Sequence, residues 1–358
     1  MTILLNKPVT PCLKTLTKYL SQVNESGWYT NFGPLHQELT YKLEEYLSVK
    51  NLLLVNNGTI ALHVAYRALN VKNAICTPFS YAATASSLAW EKIPTTFVDI
   101  DSNSFNLSPK LIEKKIKSTP SIDSIVATHV YGNPCDVDEF SKLQRQYNLK
   151  IIFDGAHAFK VDCGKKSISS YGDASTLSFH ATKVFHTIEG GAIIFRKKEN
   201  FERANKIINF GLEPNGKIRK VGINAKLNEY QCAVGLTLLD SIDNILSHRV
   251  ELFNLYKIHL SDYVQFPIWH ESASYNGAYF PIILENEENK KRIKKALQNS
   301  GIPSREYFSP SLNKIFNPND ECPISEDISS RVLCLPIHFY LTTNQVLKIV
   351  DVIKKEKQ

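Results

Sequence analysis

No stretch of this sequence holds the roughly 18 consecutive apolar residues that a membrane-crossing helix needs, so no transmembrane span is expected. The opening residues, MTILLNKPVTPCLKTL, offer only the short apolar run Thr2–Leu5. They lack the charged region, long apolar region and small-residue cleavage site of a secretory signal. No C-x-x-C pair occurs. The seven cysteines, Cys12, Cys76, Cys135, Cys163, Cys232, Cys322 and Cys334, are scattered and odd in number. That argues against a disulfide framework or zinc site, so no metal is expected, and it fits a reducing cytoplasm. No G-x-G-x-x-G turn is present, which removes the usual opening of a nicotinamide-binding unit. Internal repeats, low-complexity segments and Gly/Ser-rich linkers are also missing.

What is present is a soluble-type composition of 358 residues, 43% hydrophobic and 22% charged. That length suggests one large domain and a smaller one. The net charge of +7 favours anionic ligands only through the overall field. The densest basic run, KKRIKK at 290–295, has no interleaved aromatics and reads as the solvated face of one helix rather than a nucleic-acid patch.

Short apolar runs alternate with helical patterns. NLLLVNNG (51–58), AICTPF (74–79), TTFVDID (95–101), SIVATHVYG (124–132), KIIFDGA (150–156), ASTLSFH (174–180) and GAIIF (191–195) read as strands. Several are apolar throughout, as strands buried on both faces are. TIALHVAYRALN (59–70), SPKLIEKKIKS (108–118) and DVDEFSKLQRQYN (136–148) read as helices. The alternation predicts an α/β fold, a mostly parallel sheet flanked by helices. From about Asn228, EYQCAVGLTLLDSIDNILSHRVELFNLYKIHL reads as one long or bent connecting helix. The expected division is a large α/β domain over 1–235 and a smaller α+β domain over 236–358, with the first 25 residues crossing the surface.

Ligands of such sheets gather at the carboxyl ends of strands, and four motifs fall there. NNGTIALH sets Gly58 and Thr59 at a helix start, a natural phosphate site, though Thr59 also reads as an ordinary cap. IIFDGAH sets Asp154 at a buried strand end, where a carboxylate needs a partner such as a protonated ring nitrogen or simply a turn to cap. STLSFHATK sets Ser178 and Lys183 on one segment: a hydroxyl for a phosphate, and an amine able to form a Schiff base if its pKa is lowered. TPFSYAAT supplies Tyr81, a ring to stack on a flat cofactor or to pack in a core. Each motif alone has its ordinary reading. Together they form the set that pyridoxal 5′-phosphate requires.

The ordered series GWYTNFGPLHQELTYKLEEYL, NNGTIALH, FVDIDSNSFNL, THVYGNPCDVD, IIFDGAHAF, LSFHATKVFHTIEGG and GINAKLNEYQCAVGL resembles the sugar aminotransferases of the DegT/DnrJ/EryC1/StrS family, a branch of fold-type I pyridoxal-phosphate enzymes. The resemblance implies that Lys183 is the Schiff-base lysine, Ser178 a phosphate ligand, Asp154 the pyridinium partner, and His157 the neighbour of the cofactor's phenolic oxygen. It also implies that Gly58 and Thr59 cradle the phosphate and that Tyr81 stacks on the ring. Asn224 matches an asparagine that reaches the phosphate of the neighbouring subunit, which implies a homodimer with shared sites. Two positions depart from the pattern. Lys226 stands where the family often has arginine, and Asn313 stands where a histidine would fall. Lys226 and Arg305 are the candidates for holding substrate.

The implied reaction carries an amino group from L-glutamate to a nucleotide-linked keto sugar. The flank HATKVFHTIEGG is more similar to members acting at C4 of dTDP-4-keto-6-deoxy-D-glucose, giving dTDP-4-amino-4,6-dideoxyglucose for O-antigen or another surface polysaccharide. The alternatives are a C3 aminotransferase acting on a dTDP-3-keto-6-deoxysugar and a pyridoxal-phosphate sugar dehydratase; the latter carries His at the lysine's place, and Lys183 opposes it. A non-catalytic relative would show an eroded set, and this set is complete.

Overall fold

The seven apolar runs become the seven strands of one sheet. In the computed structural model, which describes residues 3–213 and 215–357, the strands are β1 (Leu52–Val55), β2 (Ala74–Cys76), β3 (Thr95–Phe97), β4 (Ser124–Thr128), β5 (Lys150–Asp154), β6 (Asp162–Cys163), β7 (Lys166–Ser167), β8 (Ala174–Ser178), β9 (Gly191–Phe195), β10 (Phe280–Ile283) and β11 (Val332–Leu335). The main sheet runs in the order β1-β9-β8-β5-β4-β2-β3. Every pairing in it is parallel except the two made by β9. Residues 1, 2, 214 and 358, which the expected domain ranges include and of which Thr2 begins the N-terminal apolar run, lie outside the described residues.

Successive strand side chains point to opposite faces, and both faces are covered. Leu52 and Leu54 enter the core beneath the helices Leu13–Ser26, Pro34–Leu47 and Glu229–Leu239, whereas Leu53 and Val55 enter the core beneath Gly58–Leu69. Ile151 and Phe153 of β5 likewise face one cluster and Ile152 another. This two-sided burial is why the strands read as unbroken apolar runs instead of alternating ones. Each fully buried leucine contributes roughly 2 kcal/mol.

β10 and β11 form a separate antiparallel ribbon. It shares a distinct apolar cluster with the helices Ile242–Leu260, Glu287–Asn299 and Thr343–Lys357.

Three expectations are corrected. The segment 229–260 is two helices, Glu229–Leu239 and Ile242–Leu260, because Ser241 leaves the helical region at φ −120°, ψ 8°. The break lets Ile242 and Ile245 join the first core while Leu252, Phe253, Tyr256 and Leu260 join that of the ribbon. The first 25 residues do more than cross the surface: Tyr19 and Val23 of the helix Leu13–Ser26 are buried, and so are Ile3 and Val9. The basic run is not wholly solvated either. Lys290 is 4% exposed and its Nζ lies 2.7 Å from Glu306, which also binds Lys294.

Candidate active site

Lys183 projects from a loop held rigid at its base. The Phe179 amide donates to the Gly190 carbonyl at 2.8 Å, and the Thr187 amide to the Phe179 carbonyl at 2.9 Å. Phe179 and Phe185 are fully buried and meet edge to face, and Phe159 stacks on Phe185 at 4.8 Å. These anchors turn the intervening Lys183 back toward the sheet, its amide closing a turn on the His180 carbonyl at 2.8 Å. The amine donates to the Tyr279 hydroxyl at 3.3 Å. Burial pushes the lysine pKa down against the opposing pull of Asp154 and the neighbouring tyrosines. A lowered pKa raises the fraction of neutral, nucleophilic amine.

Asp154 closes β5 and is 5% exposed. Its Oδ2 accepts from the Thr84 hydroxyl at 2.7 Å and its Oδ1 from the Ala156 amide at 3.1 Å. Desolvation raises its pKa, while those two donors and the Lys183 charge act to keep it ionised.

The helix Gly58–Leu69 begins against the end of β8. Asn57 caps it, its side chain accepting from the Ile60 amide at 2.8 Å. The ordinary reading of Thr59 as the cap is thereby excluded. Among the described residues the Gly58 and Thr59 amides have no protein acceptor. A Cβ on Gly58 would stand 2.8 Å from the Ser178 Cβ and 3.2 Å from its Oγ. Only glycine lets the positive end of the helix approach the Ser178 hydroxyl so closely, and the result is an anion cradle.

These residues open on one cavity of about 550 Å³, lined also by Tyr81 and His157. Tyr81 is 59% exposed, so its core-packing reading fails. His157 is buried, and its Nδ1 accepts from the Tyr131 amide at 3.3 Å, which leaves its single proton on Nε2. Burial, with the nearby Lys183 and His129, holds its pKa well below the ordinary imidazole range. Free amides beside a hydroxyl, a carboxylate with acceptor capacity left, a desolvated amine and an exposed aromatic face fit a phosphorylated pyridine aldehyde.

Sequence reasoning missed Tyr279, Tyr307 and Thr84. Tyr279 and Tyr307 line the cavity, and Thr84 binds Asp154. Thr84 lies inside the quoted TPFSYAAT motif, three residues after Tyr81, so its helical spacing was the one available signal. Nothing local marks the two tyrosines.

Three anticipated residues do not line this cavity within one chain. Asn224 pairs with Asn209 in an isolated bridge, and the Lys226 amine donates to the Asn209 side chain at 3.1 Å. Arg305 is exposed, its guanidinium 6.0 Å from the centre of the Tyr307 ring. Asn313 is fully buried and donates to the Asp320 carbonyl and Glu326 carboxylate, which makes it a structural residue. Among the described residues no cluster of three or more His, Cys, Asp or Glu could hold a metal ion, and no helix is long and apolar enough to cross a membrane.

Residues 13–354 match the DegT/DnrJ/EryC1/StrS aminotransferase family. A dTDP-4-amino-4,6-dideoxy-D-glucose transaminase of Shigella dysenteriae is 39% identical, with 99% of each chain covered. A protein of the same description from Escherichia coli is 34% identical, with 98% of each covered. Among solved structures, that of DesI in the presence of its TDP-sugar product superposes with a TM-score of 0.92 at 26% identity, covering 99% of this chain and 92% of that one.

Proposed function

The chain belongs to the DegT/DnrJ/EryC1/StrS aminotransferase family, and from that premise we propose that it transfers an amino group from L-glutamate to C4 of dTDP-4-keto-6-deoxy-D-glucose, giving dTDP-4-amino-4,6-dideoxyglucose. It is a nucleotide-sugar aminotransferase whose cofactor is pyridoxal 5′-phosphate. The observation that carries the site reading is convergence: the Lys183 amine, the Asp154 carboxylate and the Gly58–Thr59 amides share one cavity. The two transaminases matched over nearly their whole length support the choice of sugar.

When bound, the cofactor supplies an aldehyde that takes up amines and a protonated ring that draws electrons from the bond being broken. The Gly58 and Thr59 amides and the Ser178 hydroxyl would hold its phosphate. Tyr81 would cover one face of the ring. His157 would donate its Nε2 proton to the ring's oxygen. Asp154 would keep a proton on the ring nitrogen, and the carboxylate suits this task because two donors already orient it. Lys183 would anchor the cofactor, then take the α-proton of the donor and deliver it to C4′, acting as base and then as acid. The second half-reaction uses the same amine in the opposite sense on the sugar.

The reading extends to a homodimer in which Asn224 and Lys226 of one protomer complete the phosphate and substrate contacts of the other, with Arg305 at the mouth for an anionic group. It places the large cofactor-binding domain at 1–235, the smaller domain at 236–358, the enzyme in the cytoplasm and the product in O-antigen or a related surface polysaccharide.

The test incubates pure protein with L-glutamate and dTDP-, UDP- and GDP-linked keto sugars and locates the new amine by NMR. Amination at C3, or turnover confined to UDP or GDP sugars, would overturn the assignment. Borohydride reduction followed by peptide mapping should leave the pyridoxyl group on Lys183.

A further inference from the structure

Asp154 ends a chain of buried hydroxyls. Thr84 Oγ1 donates to its Oδ2 at 2.7 Å, Ser80 Oγ lies 2.8 Å from Thr84 Oγ1, and Thr128 Oγ1 donates to Ser80 Oγ at 2.9 Å. The three hydroxyls sit on residues between 0% and 2% exposed. They come from three places: the turn after β2, the first turn of the helix Ala82–Trp90, and the last residue of β4, which pairs in register with Asp154.

The direction of the chain follows from proton supply. A hydroxyl has one proton to give. Thr84 gives its own to Asp154 and Thr128 gives its own to Ser80, so the Ser80 proton goes to Thr84. Every O–H then points toward the carboxylate. Hydrogen bonds aligned this way in a low-dielectric interior strengthen one another.

We infer that Thr128, Ser80 and Thr84 form a polarised relay that positions Asp154 and keeps the proton of its ring-nitrogen contact on the cofactor, with Thr84 the link on which the effect depends most. This rests on the assignment of Asp154 as partner of the ring nitrogen. A proton shared between a carboxylate and a ring nitrogen resides on the more basic group. Burial makes the carboxylate more basic, and donated hydrogen bonds make it less so. The relay offsets burial at Oδ2, as the Ala156 amide does at Oδ1. The titratable groups facing Asp154 from the elements around it are Lys183, Cys76, Tyr66 and Tyr279. Of these Lys183 lowers its proton affinity, and it belongs to a separate loop the relay does not touch.

The experiment compares wild type with Thr84→Val, Thr84→Ser, Ser80→Ala and Thr128→Val. In the cofactor-free protein, infrared difference spectra of ¹³C-aspartate, referenced to Asp154→Asn, follow the Asp154 carboxylate through a pH titration. Thr84→Val should shift its protonation equilibrium about tenfold toward the acid form, the size of one hydrogen bond to a charged group. In the loaded enzyme kcat should fall about tenfold with KM for L-glutamate within threefold of wild type. Thr84→Ser should restore most of both, and Ser80→Ala and Thr128→Val should show progressively smaller changes. An unshifted titration in a folded Thr84→Val protein, or a Thr84→Ser protein as impaired as Thr84→Val, would overturn the relay. A shifted titration with undiminished turnover would instead remove Asp154 from its role at the ring nitrogen and leave the relay standing.

Discussion

Replacing Gly58 with alanine puts a methyl group in place of a hydrogen at the point where a helix meets the end of a strand. The new Cβ would lie 2.8 Å from the Ser178 Cβ, about 0.6 Å inside the 3.4 Å at which ordinary contact begins. Ser178 is held in place by its pairing with Gly191 of β9, in a strand that β5 flanks on the other side up to Thr176. The helix start must therefore tilt away and carry the Gly58 and Thr59 amides with it. The fold itself loses little, since alanine is favoured over glycine in a helix by about 0.5–1 kcal/mol. The anion cradle loses the alignment of at least one charge-assisted hydrogen bond, worth about 1.5–3 kcal/mol. Pyridoxal phosphate titrated into the apoprotein and followed by absorbance should accordingly show a Kd raised about 10- to 100-fold. The apoprotein Tm should stay within a few degrees of wild type, and the added stability of the loaded form should shrink. A Kd within threefold of wild type would refute the claim that the Gly58–Ser178 approach builds the phosphate site.

Lys183→Ala should retain the cofactor and lose turnover by at least about 10²–10⁴-fold, with no pyridoxyl group trapped by borohydride; stopped-flow assays and mass mapping check both. His157→Gln should keep a neutral donor and cost less than about tenfold in kcat/KM. Because the imidazole pKa lies well below its ordinary range, the wild-type pH–rate profile should show no His157 inflection between about pH 5 and 8. Tyr279→Phe removes the acceptor 3.3 Å from the lysine amine and should lower kcat by about 3- to 10-fold, the share of one modest hydrogen bond. Glu306→Gln leaves Lys290 buried beside a neutral amide and should cost about 2–3 kcal/mol, less than a fully enclosed pair because the carboxylate is 25% exposed. Burial raises the Glu306 pKa, but hydrogen bonds from Lys290 and Lys294 outweigh it and hold the group below the usual carboxylate range. Its stabilisation is thus complete above about pH 4.3 and lost as pH falls through the folded-state pKa. Thermal melts between pH 3 and 6 should show that dependence in wild type and less of it in the variant.

The strands of the sheet and the residues that stand at their ends are legible in the local sequence. All seven strands were legible because burial on both faces writes an unbroken apolar run into neighbouring residues; Gly58, Asp154 and Ser178 stood out because each lies at the end of such a run, and Lys183 because it follows Ser178 on the same segment. Order across the sheet was not legible. β8 lies between β5 and β9, and β9 beside β1, so Asp154, Ser178 and Gly58 meet although 96 positions separate Gly58 from Asp154. The tertiary structure alone decided that Asn57 caps the helix and frees Thr59, and that Tyr279 reaches Lys183 from another part of the chain. It also set Lys290 facing inward, and it bent 229–260 into two helices serving two cores. Periodicity reports the local balance between burial and solvent. Contacts between residues distant along the chain depend on how whole elements are laid side by side, and no short window of sequence carries that order.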